Sequence, residues 1–188
     1  MLTIRHRVND IDSLIRTPKN MGVEIDIRSS GDDIILNHDP FQKGTFFEDW
    51  LKNFEHNFII LNTKEDGLEE KIIKYLENFN INDYFFLDQP FPTILKTITK
   101  GCNKIALRFS EYETTTFLEN MAGKCEWVWI DSFYKYSHDL EVLKKIKEMG
   151  YKLCFVSPEL QGRNNEKERI QILNACKELK ADAICTKF

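Results

Sequence analysis

The 188-residue sequence predicts an α/β fold, a compact single-domain (β/α)8 TIM barrel over residues 1–188. Three observations carry that expectation. Eight short apolar runs, rich in β-branched and aromatic residues, recur along the chain and end in polar residues. Helical patterns lie between them, and strict alternation of strand and helix means parallel pairing through crossover helices. No GxGxxG or GxxxxGK[ST] follows any strand, which argues against the competing doubly wound nucleotide-binding sheet.

The strand runs are Leu2–Arg7, Gly22–Arg28, Phe58–Lys64, Tyr84–Asp88, Lys104–Phe109, Trp127–Asp131, Lys152–Ser157 and Ala183–Lys187. Apolar residues at helical spacing mark Leu68, Ile72, Ile73 and Leu76, and then Leu140, Leu143, Ile146 and Met149, where Gly150 closes the helix. Within Glu166–Leu179 the spacing places Ile170, Ile172, Leu173 and Cys176 on one face. Shorter helices are expected at Asp10–Arg16, around Trp50 in Thr45–Phe54, at Phe91–Thr99 and at Tyr112–Met121. An extra strand, Asp33–Leu36, belongs to the loop after the second barrel strand. Barrels of this kind commonly run to about 250 residues, so the loops here are expected to be nearly minimal.

A net charge of -4 and a pI near 5.7 argue against nucleic-acid binding through a general basic face. No apolar stretch approaches the roughly 18 residues of a membrane span, and no basic-then-apolar leader is read, so a cytoplasmic location is the expectation. Cys102, Cys125, Cys154, Cys176 and Cys185 show no CxxC and no zinc-ligand spacing. They read as reduced thiols that pack as small hydrophobes.

Polar residues gather where the strands end. Glu24, Asp26 and Arg28 share one parity, as do Asn62 and Lys64. His6, Asp88, Arg108, Asp131 and Lys187 stand at the ends of their own runs. In a barrel these ends meet at the mouth that carries the chemistry. Any one of them reads as a solvated strand end or a packing ion pair. The set reads as a site, because desolvating so many charges is unfavourable unless they pair, hold a metal or meet a substrate.

His6-Arg7, then Gly22-Val-Glu-Ile-Asp26, then His38-Asp39-Pro40 resembles the signature of the glycerophosphodiester phosphodiesterases, written HR, GxExD, a strand pair and HD. Leu61-Asn-Thr-Lys64 stands where that family has an acidic residue two before a lysine, and Ala181–Thr186 is similar to its closing strand. The resemblance is dense over residues 4–64. It implies a metal-assisted phosphodiester hydrolase acting on a small soluble diester, with His6 and His38 as the acid–base pair. Two imidazoles near neutral pKa can divide the proton transfers that diester cleavage requires. Arg7 and Lys64 would counter the phosphoryl charge. Glu24 and Asp26, with Asn62 in the third place, would hold a divalent ion such as Mg²⁺ or Ca²⁺. A hydroxyl nucleophile belonging to the substrate would give a cyclic phosphate first.

Asn62 replaces the expected third carboxylate, and Asp88 or Asp131 is placed to make up the charge. The usual Pro-Glu-Asn element after Arg7 is missing, and Asn9 and Asp10 stand there instead. Arg108 and Arg163 are candidate phosphate contacts. Phe91, Phe133 and Tyr134 are candidates for stacking on a ring. Trp127 and Trp129 are expected in the core, and His56 and His138 on the surface. Two alternatives remain open: cleavage of another diester or a nucleotide-linked polyol, and an impaired barrel that binds a phosphorylated ligand.

Overall fold

The computed structural model of the chain describes residues 1–187. Strands and helices alternate as β1 (Leu2–Arg5), α1 (Ile11–Arg16), β2 (Gly22–Ser30), β3 (Asp33–Leu36), β4 (Thr45–Phe46), α2 (Phe47–Leu51), β5 (Ile59–Thr63), α3 (Glu69–Asn78), β6 (Tyr84–Leu87) and α4 (Phe91–Thr99). They continue as β7 (Ala106–Phe109), α5 (Thr115–Met121), β8 (Trp127–Ile130), α6 (Leu140–Glu148), β9 (Lys152–Val156), a 3-10 turn (Pro158–Gln161), α7 (Glu166–Glu178) and β10 (Ala183–Thr186). Each of the eight expected runs contains a strand, and β3 is the expected extra one. The two-residue β4 and the 3-10 turn carry too few residues for a periodic signal. No helix among the described residues is long and apolar enough to cross a membrane.

The described residues fall into two compact units, Arg5–Cys102 and Met1–Ile4 together with the chain from Asn103 onward. In the first, β2 is central. It pairs in parallel with β5, in the register Glu24↔Ile60 and Asp26↔Asn62, and antiparallel with β3. β5 pairs with β6, and β3 with β4. In the second, β7, β8, β9 and β10 pair in parallel. Among the described residues β6 pairs with β5 alone and β7 with β8 alone.

Alternation along β2 and β5 separates two jobs. Val23, Ile25, Ile27, Ile59 and Leu61 pack with Leu14, Trp50, Ile72 and Leu76 into the apolar core of the first unit. The opposite parity is Glu24, Asp26 and Asn62, all buried. Apolar packing on one face thus fixes strands whose other face is polar. Trp50 is fully buried, and its indole Nε1 donates to the Val8 carbonyl at 3.0 Å, tying α2 to the segment after β1.

In the second unit Trp127 and Trp129 lie in the core, as expected. Four of the five cysteines are buried and all are free. Ile170 departs from expectation: it is 48% exposed, and α7 buries Glu168, Ile172, Ala175 and Cys176 instead. A buried salt bridge explains the displacement, because Glu168 takes two guanidinium N–H bonds from Arg163, at 3.1 and 2.7 Å.

Candidate functional site

His6 stands one residue past β1, with 13% of its side chain exposed and Nε2 3.8 Å from Glu24 Oε2. Arg7 follows with φ 55, a left-handed conformation that disfavours a side-chain-bearing residue. What holds it there is its own N–H, which donates to Glu24 Oε2 at 2.8 Å while Val8 N donates to the Glu24 carbonyl at 2.8 Å. The turn presents the Arg7 guanidinium with Nε 3.9 Å from Asp26 Oδ2.

Glu24 and Asp26 are both fully buried on one face of β2. Asn62 Nδ2 donates to Glu24 Oε1 at 3.0 Å. Burial, and then the neighbouring Asp26, push the Glu24 carboxyl up to about 7, against the Arg7 and Asn62 hydrogen bonds and the Lys64 charge. Lys64 Nζ lies 3.2 Å from Asp26 Oδ1. Asn9 clasps Asp26 twice, its Nδ2 donating to Oδ2 and its Oδ1 accepting from the Asp26 N–H, both at 2.8 Å. The neighbouring Asp10 caps α1 by accepting from Ser13 N at 2.7 Å.

His38 begins the loop that returns from β3 to β4. Its carbonyl accepts from Arg28 Nε and Nη2 at 3.2 and 3.0 Å, and the preceding Asn37 N–H donates to the Asp26 carbonyl at 3.0 Å. The ring, 40% exposed, meets Asp39 Oδ1 through Nδ1 at 2.8 Å. That hydrogen bond holds the Asp39 carboxyl below its ordinary range. Gly44 closes the loop, where any Cβ would overlap the Leu36 carbonyl. Cavities of about 440 and 560 Å³ flank the loop, one beside Asn9, Asn37 and Lys43, the other beside Arg28, Phe41 and Glu65.

The residues expected at a divalent ion are therefore neighbours. One buried oxygen, Asn62 Oδ1, lacks a hydrogen-bond donor among the described residues, and Asp26 Oδ1 meets the Lys64 ammonium at 3.2 Å. An unsatisfied amide oxygen beside two buried carboxylates suits a hard cation, so the residues fit the group. The set is nevertheless lean. Among the described residues, no three or more His, Cys, Asp or Glu are grouped to hold a metal. Two carboxylates and one amide oxygen are what this chain offers.

Arg108, Asp131 and Arg163 make partners of their own within the second unit. Arg108 pairs with the buried Asp131 within the second unit and lies over the Phe133 ring, 5.5 Å from its centroid. Asp131 also accepts from Gln161 Nε2 at 2.9 Å and Ser132 N at 2.8 Å, so its charge is used there. Arg163 donates to Glu168 and to the carbonyls of Ser132 and Phe133 at 2.7 and 2.8 Å, a clamp on the loop after β8. Phe91, Phe133 and Tyr134 are exposed. His56, expected at the surface, is buried with Nε2 3.0 Å from the Thr17 carbonyl. His138 is half-buried and its Nε2 lies 2.6 Å from the Asp131 carbonyl. Sequence reasoning passed over the Asn9 clasp and the Arg28 fork. An amide soon after the strand-end His-Arg pair, and an arginine sharing parity with two carboxylates, are the signals that point to them.

No family model matches the chain, and no curated protein matches it. Solved structures do. A protein described as a glycerophosphoryl diester phosphodiesterase from Agrobacterium tumefaciens superimposes with a TM-score of 0.73 at 10% identity, over 100% of this chain and 93% of that one. A glycerophosphoryl diester phosphodiesterase from Parabacteroides distasonis gives 0.68 at 14% identity, over 99% and 82%. A tryptophan synthase alpha-subunit from Pyrococcus furiosus gives 0.62 at 11% identity, over 98% and 85%. The chain thus has the α/β fold of TIM-barrel phosphodiesterases, as its periodicity predicted. The third likeness shows that the fold alone does not choose an activity.

Proposed function

We propose that this chain is a divergent glycerophosphodiester phosphodiesterase, a metal-assisted hydrolase of small glycerophosphodiesters. One observation carries the reading most. Two fully buried carboxylates, Glu24 and Asp26, lie 3.8, 3.9 and 3.2 Å from nitrogens of His6, Arg7 and Lys64, beside Asn62, whose buried Oδ1 lacks a donor among the described residues. A packing role alone gives no reason to bury such a set. The likeness to solved phosphodiesterases supports the same class of reaction.

In this reading Glu24, Asp26 and Asn62 hold a divalent ion by their oxygens. When bound, such an ion supplies Lewis-acid stabilisation of phosphoryl charge. Arg7 and Lys64 orient the phosphate and offset charge gathering on its non-bridging oxygens. One of His6 and His38 takes the proton from the attacking hydroxyl while the other gives one to the departing alkoxide. Asp39 orients the His38 ring through Nδ1, which directs Nε2 at the substrate. Asn9 fixes the Asp26 carboxylate, and the Glu24–Arg7 bond fixes the turn that carries the phosphate contact.

The test is hydrolysis of a panel of glycerophosphodiesters with Mg²⁺, Ca²⁺ or Mn²⁺, compared with His6→Ala and His38→Ala. Metal-dependent turnover that falls at least about 100-fold in each variant supports the assignment. Unchanged turnover in both variants rejects it.

A further inference from the structure

We infer that Arg28, braced by Glu65, is a positioning residue that holds His38 for proton transfer. This rests on the reading of His38 as an acid–base residue and adds two residues to it. The Arg28 side chain is 15% exposed and shares the β2 face of Glu24 and Asp26. Its Nε and Nη2 converge on a single acceptor, the His38 carbonyl, at 3.2 and 3.0 Å. Nη1 turns the other way, to Glu65 Oε1 at 3.3 Å. The second oxygen of Glu65 accepts from the Ser29 N–H at 3.1 Å and from its hydroxyl at 2.5 Å. Glu65 is thereby locked to the strand that Arg28 leaves.

Lys64 and Glu65 are consecutive, and the Lys64 N–H still pairs with the Ile27 carbonyl at 3.0 Å. One dipeptide past β5 therefore makes two ion pairs of opposite sense to β2: Lys64 to Asp26 and Glu65 to Arg28. The first neutralises the buried carboxylate cluster. The second orients a guanidinium whose remaining N–H groups grip the main chain of the histidine. The His38 ring is 40% exposed and tied to exposed Asp39, so it has little packing of its own to fix it. Its place depends on the backbone. Asn37 secures that backbone on one side, with Nδ2 donating to the Lys43 carbonyl and Oδ1 accepting from Asp39 N, both at 2.9 Å. Arg28 secures it on the other. A planar fork on one carbonyl restrains direction as well as distance, which a lysine ammonium does not reproduce.

The experiment compares Arg28→Lys, Arg28→Glu and the swap Arg28→Glu/Glu65→Arg by hydrolysis kinetics, thermal unfolding and ¹⁵N relaxation of the His38 and Asp39 amides. Positioning predicts that Arg28→Lys lowers kcat about 10- to 100-fold, keeps KM within about twofold and loosens both amides. It predicts that the swap restores Tm towards the wild-type value but not kcat, since a carboxylate at position 28 cannot donate to the His38 carbonyl. Recovery of kcat in the swap, or unchanged kcat and amide order in Arg28→Lys, overturns the inference in favour of a plain ion pair. His38→Ala separates the two proposals: full turnover in that variant overturns the acid–base reading, while amide order in the Arg28 variants still decides whether the fork holds the loop.

Discussion

Asn62 Nδ2 donates to Glu24 Oε1 at 3.0 Å, while the Asn62 carbonyl oxygen, in register with Asp26, is buried without a hydrogen-bond donor among the described residues. One amide thus relieves a crowded carboxylate with its nitrogen and presents an oxygen beside another with its far end. Polarity at this one position sets how much negative charge the buried face must carry before any cation arrives.

Restoring a carboxylate there has opposite effects with and without metal. Asn62→Asp adds a third charge beside Glu24, whose carboxyl burial and Asp26 already push up to about 7. The variant is expected to lower Tm in chelator by several degrees, since an uncompensated buried charge costs about 3–5 kcal/mol. It is expected to bind Mg²⁺ or Ca²⁺ more tightly than wild type. Calorimetric titration and thermal unfolding with and without the ion check both halves.

Removing the Asn9 clasp exposes Asp26 to a different loss. In Asn9→Ala the Asp26 N–H and carboxylate each lose a 2.8 Å partner. Unsatisfied buried groups cost about 1–3 kcal/mol each, so Tm should fall and metal affinity with it. Urea unfolding and an ion titration measure the two together.

Trp50 links the core to the turn that bears Arg7. Trp50→Phe keeps an aromatic ring but leaves the Val8 carbonyl without its 3.0 Å donor. A stability loss of about 1–3 kcal/mol is expected, equivalent to roughly 2–4 °C per kcal/mol at this chain length. Thermal unfolding reads it.

Buried His56 makes stability depend on pH. Burial holds its pKa below the ordinary 6.5, so the unfolded chain takes up this proton first. Its contribution is present above about pH 6.5 and is lost as pH falls, with a slope of at most about 1.4 kcal/mol per pH unit. Urea unfolding between pH 5 and 8 should show this slope in wild type and its reduction in His56→Gln.

How much of this was legible in the sequence depended on how local each cause is. The runs at Gly22–Arg28 and Phe58–Lys64 announced strands because alternation is local, and the same alternation put Glu24, Asp26 and Asn62 on one face. Ile170 misled because helical spacing marks an apolar stripe without knowing that Arg163 draws Glu168 inward. His56 misled because its partner is a carbonyl 39 residues away. The Arg28 fork on His38 was half legible: parity with Glu24 and Asp26 marked the arginine, but its acceptor is a main-chain oxygen, which leaves no residue type to read.

A crystal of the protein soaked with Mg²⁺ or Ca²⁺ and inorganic phosphate tests the central claim most directly. The account predicts one cation bound by oxygens of Glu24, Asp26 and Asn62, with phosphate against Arg7 and Lys64 and both imidazoles, of His6 and His38, turned towards it. A phosphate bound elsewhere, or the two rings facing separate cavities, would contradict it.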